Sequence, residues 1–292
     1  MRVGFVGLGN MGVPMAANVV RAGHDVVAFD MDPARVSAFV QAHGGKPAAK
    51  LADLAGVEFV ITMLPDGHVV REVYLGSGGL ASVLKSGSIA IDMSSSDPQG
   101  TRELGSELAK GGIALVDAPV SGAVPRATNA TLAIMIGADD ARVCERAKSV
   151  LSAMGNRLFD TGGLGTGHAM KALNNFVAAS GYAAAVEALL AGKRFGLDPT
   201  RMLAIMNSST GRNFNTEVVL QEHVVNQRFA TGFSLGLLAK DVGIAADLMQ
   251  NVHLDAPMAA LIRQRYQLAL AQLGAQRDNS EAILAWDKDQ QE

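Results

Sequence analysis

Short runs of β-branched and apolar residues alternate with amphipathic stretches through the first half of the chain. Runs at 2–6, 25–29, 59–63, 88–93, 114–117 and 132–136 have strand length. The segments at 13–22, 33–42 and 100–110 between them carry apolar positions at helical spacing. Strands alternating with helices of this length predict βαβ units and a mostly parallel, doubly wound sheet covered on both faces. After the glycine-rich stretch 162–167 the pattern changes. From His168 onward helical periodicity runs almost without a break, and no strand pattern stands out. The expected division is therefore an α/β domain at 1–163 and an all-α domain at 164–292, with a long linking helix at about 168–195. Asp198 and Pro199 have the chemistry of an N-cap and a first helical position.

Composition narrows the class of partner. With 292 residues, 49% of them hydrophobic, the chain can bury two ordinary cores. Lys and Arg number 25 against 28 Asp and Glu, a net charge of −3, so there is no basic field for a polyphosphate backbone. Aromatic residues make up 5% and offer few stacking platforms. Nucleic acid is not an expected partner. No window reaches the roughly 18 to 20 apolar residues of a membrane span. The richest, 169–195, is interrupted by Lys171, Asn174, Asn175, Glu187, Lys193 and Arg194. The first residues read straight into a structural motif, unlike a signal peptide. The lone Cys144 reads as an inert helix residue, and the absence of disulfides fits a cytoplasmic protein. The six histidines are scattered without ligand spacing, so no metal site is expected. The single tryptophan, Trp286, lies in the tail, where a subunit interface or a cleft rim is expected to hold its ring.

The first motif that carries chemistry is Gly7-Leu8-Gly9-Asn10-Met11-Gly12, a G-x-G-x-x-G. An apolar strand runs into it, a helix leaves it, and a second strand ends in Asp30. In that setting Gly7 permits a tight turn, Gly9 lets the backbone approach a pyrophosphate, and Gly12 allows close helix–strand packing. Unsatisfied amides at the helix start would face the phosphates. Asp30 lies where a ribose-binding carboxylate is expected, and its charge would repel a 2′-phosphate, which points to NAD over NADP.

Lys171, Asn174 and Asn175 share one face of the linking helix at i, i+3 and i+4, in a segment otherwise rich in Ala, Val and Leu. They follow the expected boundary, where a cleft between domains would fall. A desolvated lysine there could exchange a proton with a substrate hydroxyl, with an amide beside it to hold the substrate. Spacing alone leaves equally open an exposed lysine and a solvated amide pair.

Together these motifs resemble the β-hydroxyacid dehydrogenase family. The blocks are GLGNMGVPMAAN at 7–18, MLP at 63–65, DMSSSDP at 92–98, DAPVSG at 117–122, GTGHAMKALNN at 165–175 and KDVGIA at 240–245. The resemblance implies an N-terminal Rossmann domain, a long inter-domain helix and an all-α C-terminal domain that assembles homodimers or homotetramers. By motif position, Lys171 matches the family's catalytic lysine, and Asn175, with Asn174 beside it, the substrate-binding amides. Ser121 and Gly122 match the loop that grips the substrate carboxylate. Gly7, Leu8, Gly9, Asn10, Met11, Gly12, Asp30, Leu64, Pro65 and Ser95 match cofactor positions. Lys240 matches the lysine that closes the site from the second domain.

The expected activity is therefore NAD-dependent, reversible oxidation of a small 3-hydroxy acid, of the 3-hydroxyisobutyrate type, with a lysine as general acid and base. Alternatives are a semialdehyde reductase of the tartronate, succinate or sulfolactaldehyde type, an L-serine dehydrogenase, or a catalytically silent NAD-binding protein. Two departures from the family bear on the substrate. After Ser121-Gly122 the usual glycines give way to Ala123-Val124-Pro125-Arg126-Ala127-Thr128-Asn129-Ala130, and Ser95-Ser96 replaces threonine and an aliphatic residue. Arg126 adds a charge near the expected carboxylate grip. Arg212, in a polar turn of the second domain, is a further candidate for an anionic group, with a solvated or intersubunit role as the plainer reading.

Overall fold

A computed structural model describes residues 1–287. The chain divides into two compact units, Met1–Lys171 and Ala172–Glu292; residues 288–292 of the expected second domain lie outside the described residues.

The first unit is built on nine strands: β1 (Arg2–Val6), β2 (Asp25–Phe29), β3 (Lys46–Pro47), β4 (Phe59–Thr62), β5 (Ile89–Asp92), β6 (Ala114–Asp117), β7 (Val120–Ser121), β8 (Leu132–Gly137) and β9 (Gly155–Gly162). They form one sheet in the order β3-β2-β1-β4-β5-β6-β8-β7, with β9 beside β8. Pairing from β3 to β6 is parallel throughout, and β8 runs antiparallel to β6 and β7. The order reverses between β1 and β4. In a doubly wound sheet that is the switch point where ligands bind, beyond the carboxyl ends of the strands.

The strands alternate in which face they fill. Val3, Phe5, Phe59, Ile61, Ile89 and Ile91 pack against α1 (Gly12–Arg21), α2 (Pro33–His43) and, past the short α5 (Ala123–Thr128), α6 (Ala141–Leu151). Val60 and Ala90 face the other way, toward α3 (Gly67–Leu75) and α4 (Pro98–Lys110) through Val70, Tyr74, Leu104 and Leu108. Both faces are dry, so the strands read as nearly continuous apolar runs. Four of the helices begin on an aspartate that accepts a backbone N–H: Asp32, Asp66, Asp97 and Asp140. Each such cap stabilises its helix by about 1 kcal/mol. Helix α1 has no side-chain cap.

Helix α7 (Thr166–Phe195) carries the chain into the second unit. There follow α8 (Pro199–Asn207), a π-helical stretch Asn215–Val224, α9 (Leu235–Asn251), α10 (Pro257–Leu273) and α11 (Ala282–Trp286). Asp198 caps α8 with Pro199 in its first turn, as expected. No helix among the described residues is long and apolar enough to cross a membrane.

Trp286 corrects an expectation. It is 6% exposed and sits inside the second unit's core. Its ring meets Tyr266 edge-on at 5.4 Å and Tyr182 at 5.9 Å, under the Arg265 guanidinium, and its Nε1 donates to the Arg265 carbonyl at 3.2 Å. The one polar atom of a large apolar ring is thus satisfied, which is the condition for burying it. Trp286→Ala is expected to lower unfolding free energy by about 3 to 5 kcal/mol. Urea titration followed by far-ultraviolet circular dichroism checks this; an unshifted midpoint contradicts the core assignment.

Candidate functional site

The glycine loop leaves the carboxyl end of β1 at the switch point. Gly7 has φ +99°, and a Cβ there would lie 2.3 Å from the Met63 carbonyl oxygen, at the end of β4. At Gly12 a Cβ would meet the Gly7 carbonyl oxygen. Both ends of the loop are therefore pinned by close backbone contact. Gly9 is different: nothing lies within 4 Å of its Cβ position. The middle of the loop faces open space, and no acceptor among the described residues meets the N–H groups of Asn10, Met11 or Gly12. An uncapped helix start with its amides directed outward suits an anionic phosphate.

Asp30, at the end of β2, shapes the same loop. Its Oδ2 accepts the Leu8 N–H at 2.7 Å and its Oδ1 accepts the Asp32 N–H at 2.9 Å. A groove of about 520 Å³ runs from Leu8, Gly9 and Asn10 along α1. These residues fit a dinucleotide: open glycine face, free amides and a carboxylate at the end of the adjacent strand.

The other expected first-unit residues lie at the same edge. Leu64 and Pro65 follow β4, and the Leu64 N–H donates to Ser94 Oγ at 3.0 Å. Ser95, half-buried, follows β5. Ser121 closes β7, paired with Ala133, and Gly122 follows with φ +136°. Ala123 and Ala130, at either end of α5, hold φ of 54° and 55°. Left-handed alanines cost about 1 to 2 kcal/mol each, so this loop is strained where the family usually has glycines.

Beneath these loops lies a polar cluster that motif reading quoted but gave no role. Asp92, Asp117 and His168 are 2, 0 and 1% exposed. Asp92 Oδ1 accepts from the Thr62 hydroxyl and the Ser94 N–H, and its Oδ2 accepts from the Ser96 hydroxyl. Asp117 Oδ1 accepts the Gly165 N–H at 2.7 Å and Oδ2 accepts the His168 N–H at 2.8 Å. It thereby fastens the start of α7 to the end of β6. Thr101 Oγ1 is 2.8 Å from His168 Nδ1, with which it shares a hydrogen bond, and 2.9 Å from the Asp97 carbonyl oxygen. His168 Nε2 faces Asp92 Oδ2 at 3.6 Å. Burial pushes the Asp117 carboxyl above its ordinary range, against the pull of His168 and the two amides. The sequence signal was present: aspartates ending two apolar strands, each followed by small residues.

Lys171 lies one turn past His168 on α7 and is half-buried. Within the second unit, Asn175 is buried and donates through Nδ2 to Asp241 Oδ2 at 2.6 Å, while its Oδ1 accepts from Asn174 Nδ2 at 3.2 Å. Asp241, 2% exposed, also has Oδ1 3.6 Å from Lys240 Nζ. The structure thus joins Asn174, Asn175 and Lys240 through Asp241, a residue that sequence reasoning passed over inside KDVGIA. Arg212 is paired with Glu217 at 2.6 Å on an exposed turn, which favours the plainer reading of it. Cys144 is buried, and burial, followed by the nearby Asp160, pushes its thiol up, which disfavours the thiolate.

Because its folded pKa is raised, Asp117 contributes stability that is present below the ordinary carboxylate value of 3.8 and is lost as pH rises through the raised one. The difference in unfolding free energy between wild type and Asp117→Asn should therefore shrink as pH rises from about 4. At neutral pH the variant should still be less stable by about 1 to 3 kcal/mol, because its amide cannot accept both N–H groups. Denaturant titrations across that range check both; a difference that grows with pH contradicts the assignment.

Comparison with known proteins agrees with this geometry. Residues 2–163 match the NAD-binding domain of 6-phosphogluconate dehydrogenase, and residues 165–286 match the NAD-binding family of NADP-dependent 3-hydroxyisobutyrate dehydrogenase. A 2-(hydroxymethyl)glutarate dehydrogenase of Eubacterium barkeri is 36% identical over 99% of this chain and 95% of its own. A 3-hydroxyisobutyrate dehydrogenase of Pseudomonas aeruginosa is 36% identical over 91% of each chain. The structure of Mycobacterium tuberculosis 3-hydroxyisobutyrate dehydrogenase with L-serine superposes with a TM-score of 0.89 at 34% identity, over 98% of this chain and 99% of that one. The chain belongs to the β-hydroxyacid dehydrogenase family, whose members are nicotinamide-dinucleotide-dependent dehydrogenases acting on the CH–OH group of small hydroxy acids.

Proposed function

We propose that this enzyme oxidises a small 3-hydroxy acid of the 3-hydroxyisobutyrate type, reversibly, with NAD as acceptor and Lys171 as general acid and base. The observation that carries the reading is the position of Lys171. It stands one turn beyond the helical turn that Asp117 clamps to the strand ends, at the edge of the sheet where the glycine loop opens. In this reading the amides of the Gly7–Gly12 loop hold the pyrophosphate and Asp30 the ribose. Leu64, Pro65, Ser95 and Lys240 also serve the cofactor. Ser121 and Gly122 take the substrate carboxylate, and Asn174 and Asn175 orient the substrate.

The bound nicotinamide supplies a hydride acceptor at its C4. As the electron pair of the substrate C–H bond departs, the hydroxyl oxygen must lose its proton, and neutral Lys171 takes it. In the reverse direction the ammonium form returns that proton to the developing alkoxide. Asp241 keeps the Asn175 amide in one orientation, so the substrate meets a preset donor and acceptor. The Asp30 carboxylate would repel a 2′-phosphate, and Arg35, which lines the adjoining groove, is already paired with Asp32. That supports NAD, although one matched family is described as NADP-dependent.

We further assign 1–163 to cofactor binding and 164–292 to substrate binding and subunit assembly, in a cytoplasmic homodimer or homotetramer. Phe195, Ile205 and Phe214 support assembly, being 88, 65 and 64% exposed on the second unit. L-Serine, itself a 3-hydroxy acid, is a second candidate substrate, supported by the L-serine complex of the mycobacterial relative.

Two measurements test the reading. Lys171→Ala should lose about 10² to 10⁴ in kcat on the best substrate of a 3-hydroxy acid panel while keeping NADH affinity. Near-wild-type turnover would remove the lysine from the chemistry. Wild-type kcat/KM should favour NAD over NADP by about 100-fold, the scale of a few kcal/mol of like-charge repulsion. A preference for NADP would overturn the role given to Asp30.

A further inference from the structure

Arg126 lies on α5, four residues after Gly122, and its aliphatic stem covers that glycine. A Cβ built on Gly122 would lie 2.5 Å from Arg126 Cδ and 2.7 Å from its Cβ. The left-handed φ of Gly122 and the arginine stem both exclude a side chain there. The element that carries the arginine is fixed. Asn18 of α1 donates a buried hydrogen bond to the Ala127 carbonyl at 2.6 Å, and the Thr131 N–H donates to the Arg126 carbonyl at 2.9 Å. The residue is exposed, and no carboxylate among the described residues pairs with its guanidinium. An unneutralised cation is therefore carried on a fixed element whose stem packs on Gly122, next to Ser121 in sequence.

We infer that Arg126 is a specificity residue that reads a second anionic group, so that the preferred substrate is a 3-hydroxy acid carrying another carboxylate on its side arm. The inference rests on the reading above that Ser121 and Gly122 hold the first carboxylate. A monoacid held there leaves the guanidinium in water and gains nothing from it. A diacid whose second carboxylate lies at the end of a short arm offers the planar, two-oxygen partner that a guanidinium binds through paired N–H groups. Lysine would present a point charge in place of that fork. The expectation that α5 carries substrate selectivity fits its strained alanine ends, which hold a helix where the family's glycines would allow other loop shapes.

The test compares three substrates with NAD: 2-(hydroxymethyl)glutarate, its side-arm carboxamide, which is the same size without the charge, and 3-hydroxyisobutyrate. Wild-type kcat/KM should favour the diacid over the carboxamide by about 10- to 100-fold. That ratio should collapse toward one in Arg126→Gln, survive in part in Arg126→Lys, and invert in Arg126→Glu. Only a charge contact predicts the inversion; a packing role for the stem would lower all three substrates together. A wild-type ratio near one, or a ratio unchanged in Arg126→Gln, overturns the inference, while turnover of 3-hydroxyisobutyrate in the same assay leaves the hydroxy acid reading standing. Turnover of none of the three overturns both.

Discussion

The buried Asp117 carboxylate joins the end of β6 to the start of α7. Taking it out of water costs several kcal/mol. It accepts two backbone N–H groups, from Gly165 and His168, each charge-assisted bond worth about 1.5 to 3 kcal/mol. Those two donors are the beginning of α7. The end of β6 and the start of the helix that bears Lys171 are thereby one rigid object, and the glycine-rich stretch before α7 is what lets them meet. A Cβ on Gly167 would lie 2.4 Å from the Met135 carbonyl oxygen and 2.8 Å from Asp117 Oδ2.

His168 extends the network to the neighbouring loops. Its ring reaches Thr101 on α4 and faces Asp92 at the end of β5, and Asp92 in turn orders Ser94 and Ser96. Ser94 holds the Leu64 amide at the end of β4. The loops after β4 and β5 and the start of α7 are thus each tied to a buried carboxylate or to a group that one holds. Rigid support of this kind positions reacting groups at little entropic cost when substrate binds.

Much of the fold was legible because strand and helix periods are imposed by the solvent. Both strands that flank the glycine loop fall at the expected residues, 2–6 and 25–29. Strands β3 and β7, two residues each, carry no readable period. Strand β9 escaped because it is mostly exposed, and its residues, GNRLFDTG, show no apolar alternation. The glycine-rich stretch at 162–167 read as punctuation between domains, whereas contact geometry gives it the further duty of close packing around Asp117. The expected site residues lay inside recognisable motifs. Asp117, Asp92 and Asp241 did not stand out, since the hydrogen bonds that give them meaning join positions far apart in sequence. Trp286 was misread for a similar reason: nothing local shows that Tyr182, a hundred residues earlier on the scale of the chain, shares its core.

If the buried carboxylates hold this edge together, the amides they accept should open only when the whole unit unfolds. Native-state hydrogen exchange of the Gly165, His168 and Ser94 amides, compared with core amides of β1 and β4, reads this directly. The account predicts equal protection in the two sets. Exchange of Gly165 and His168 at the rate of the exposed loops would contradict it.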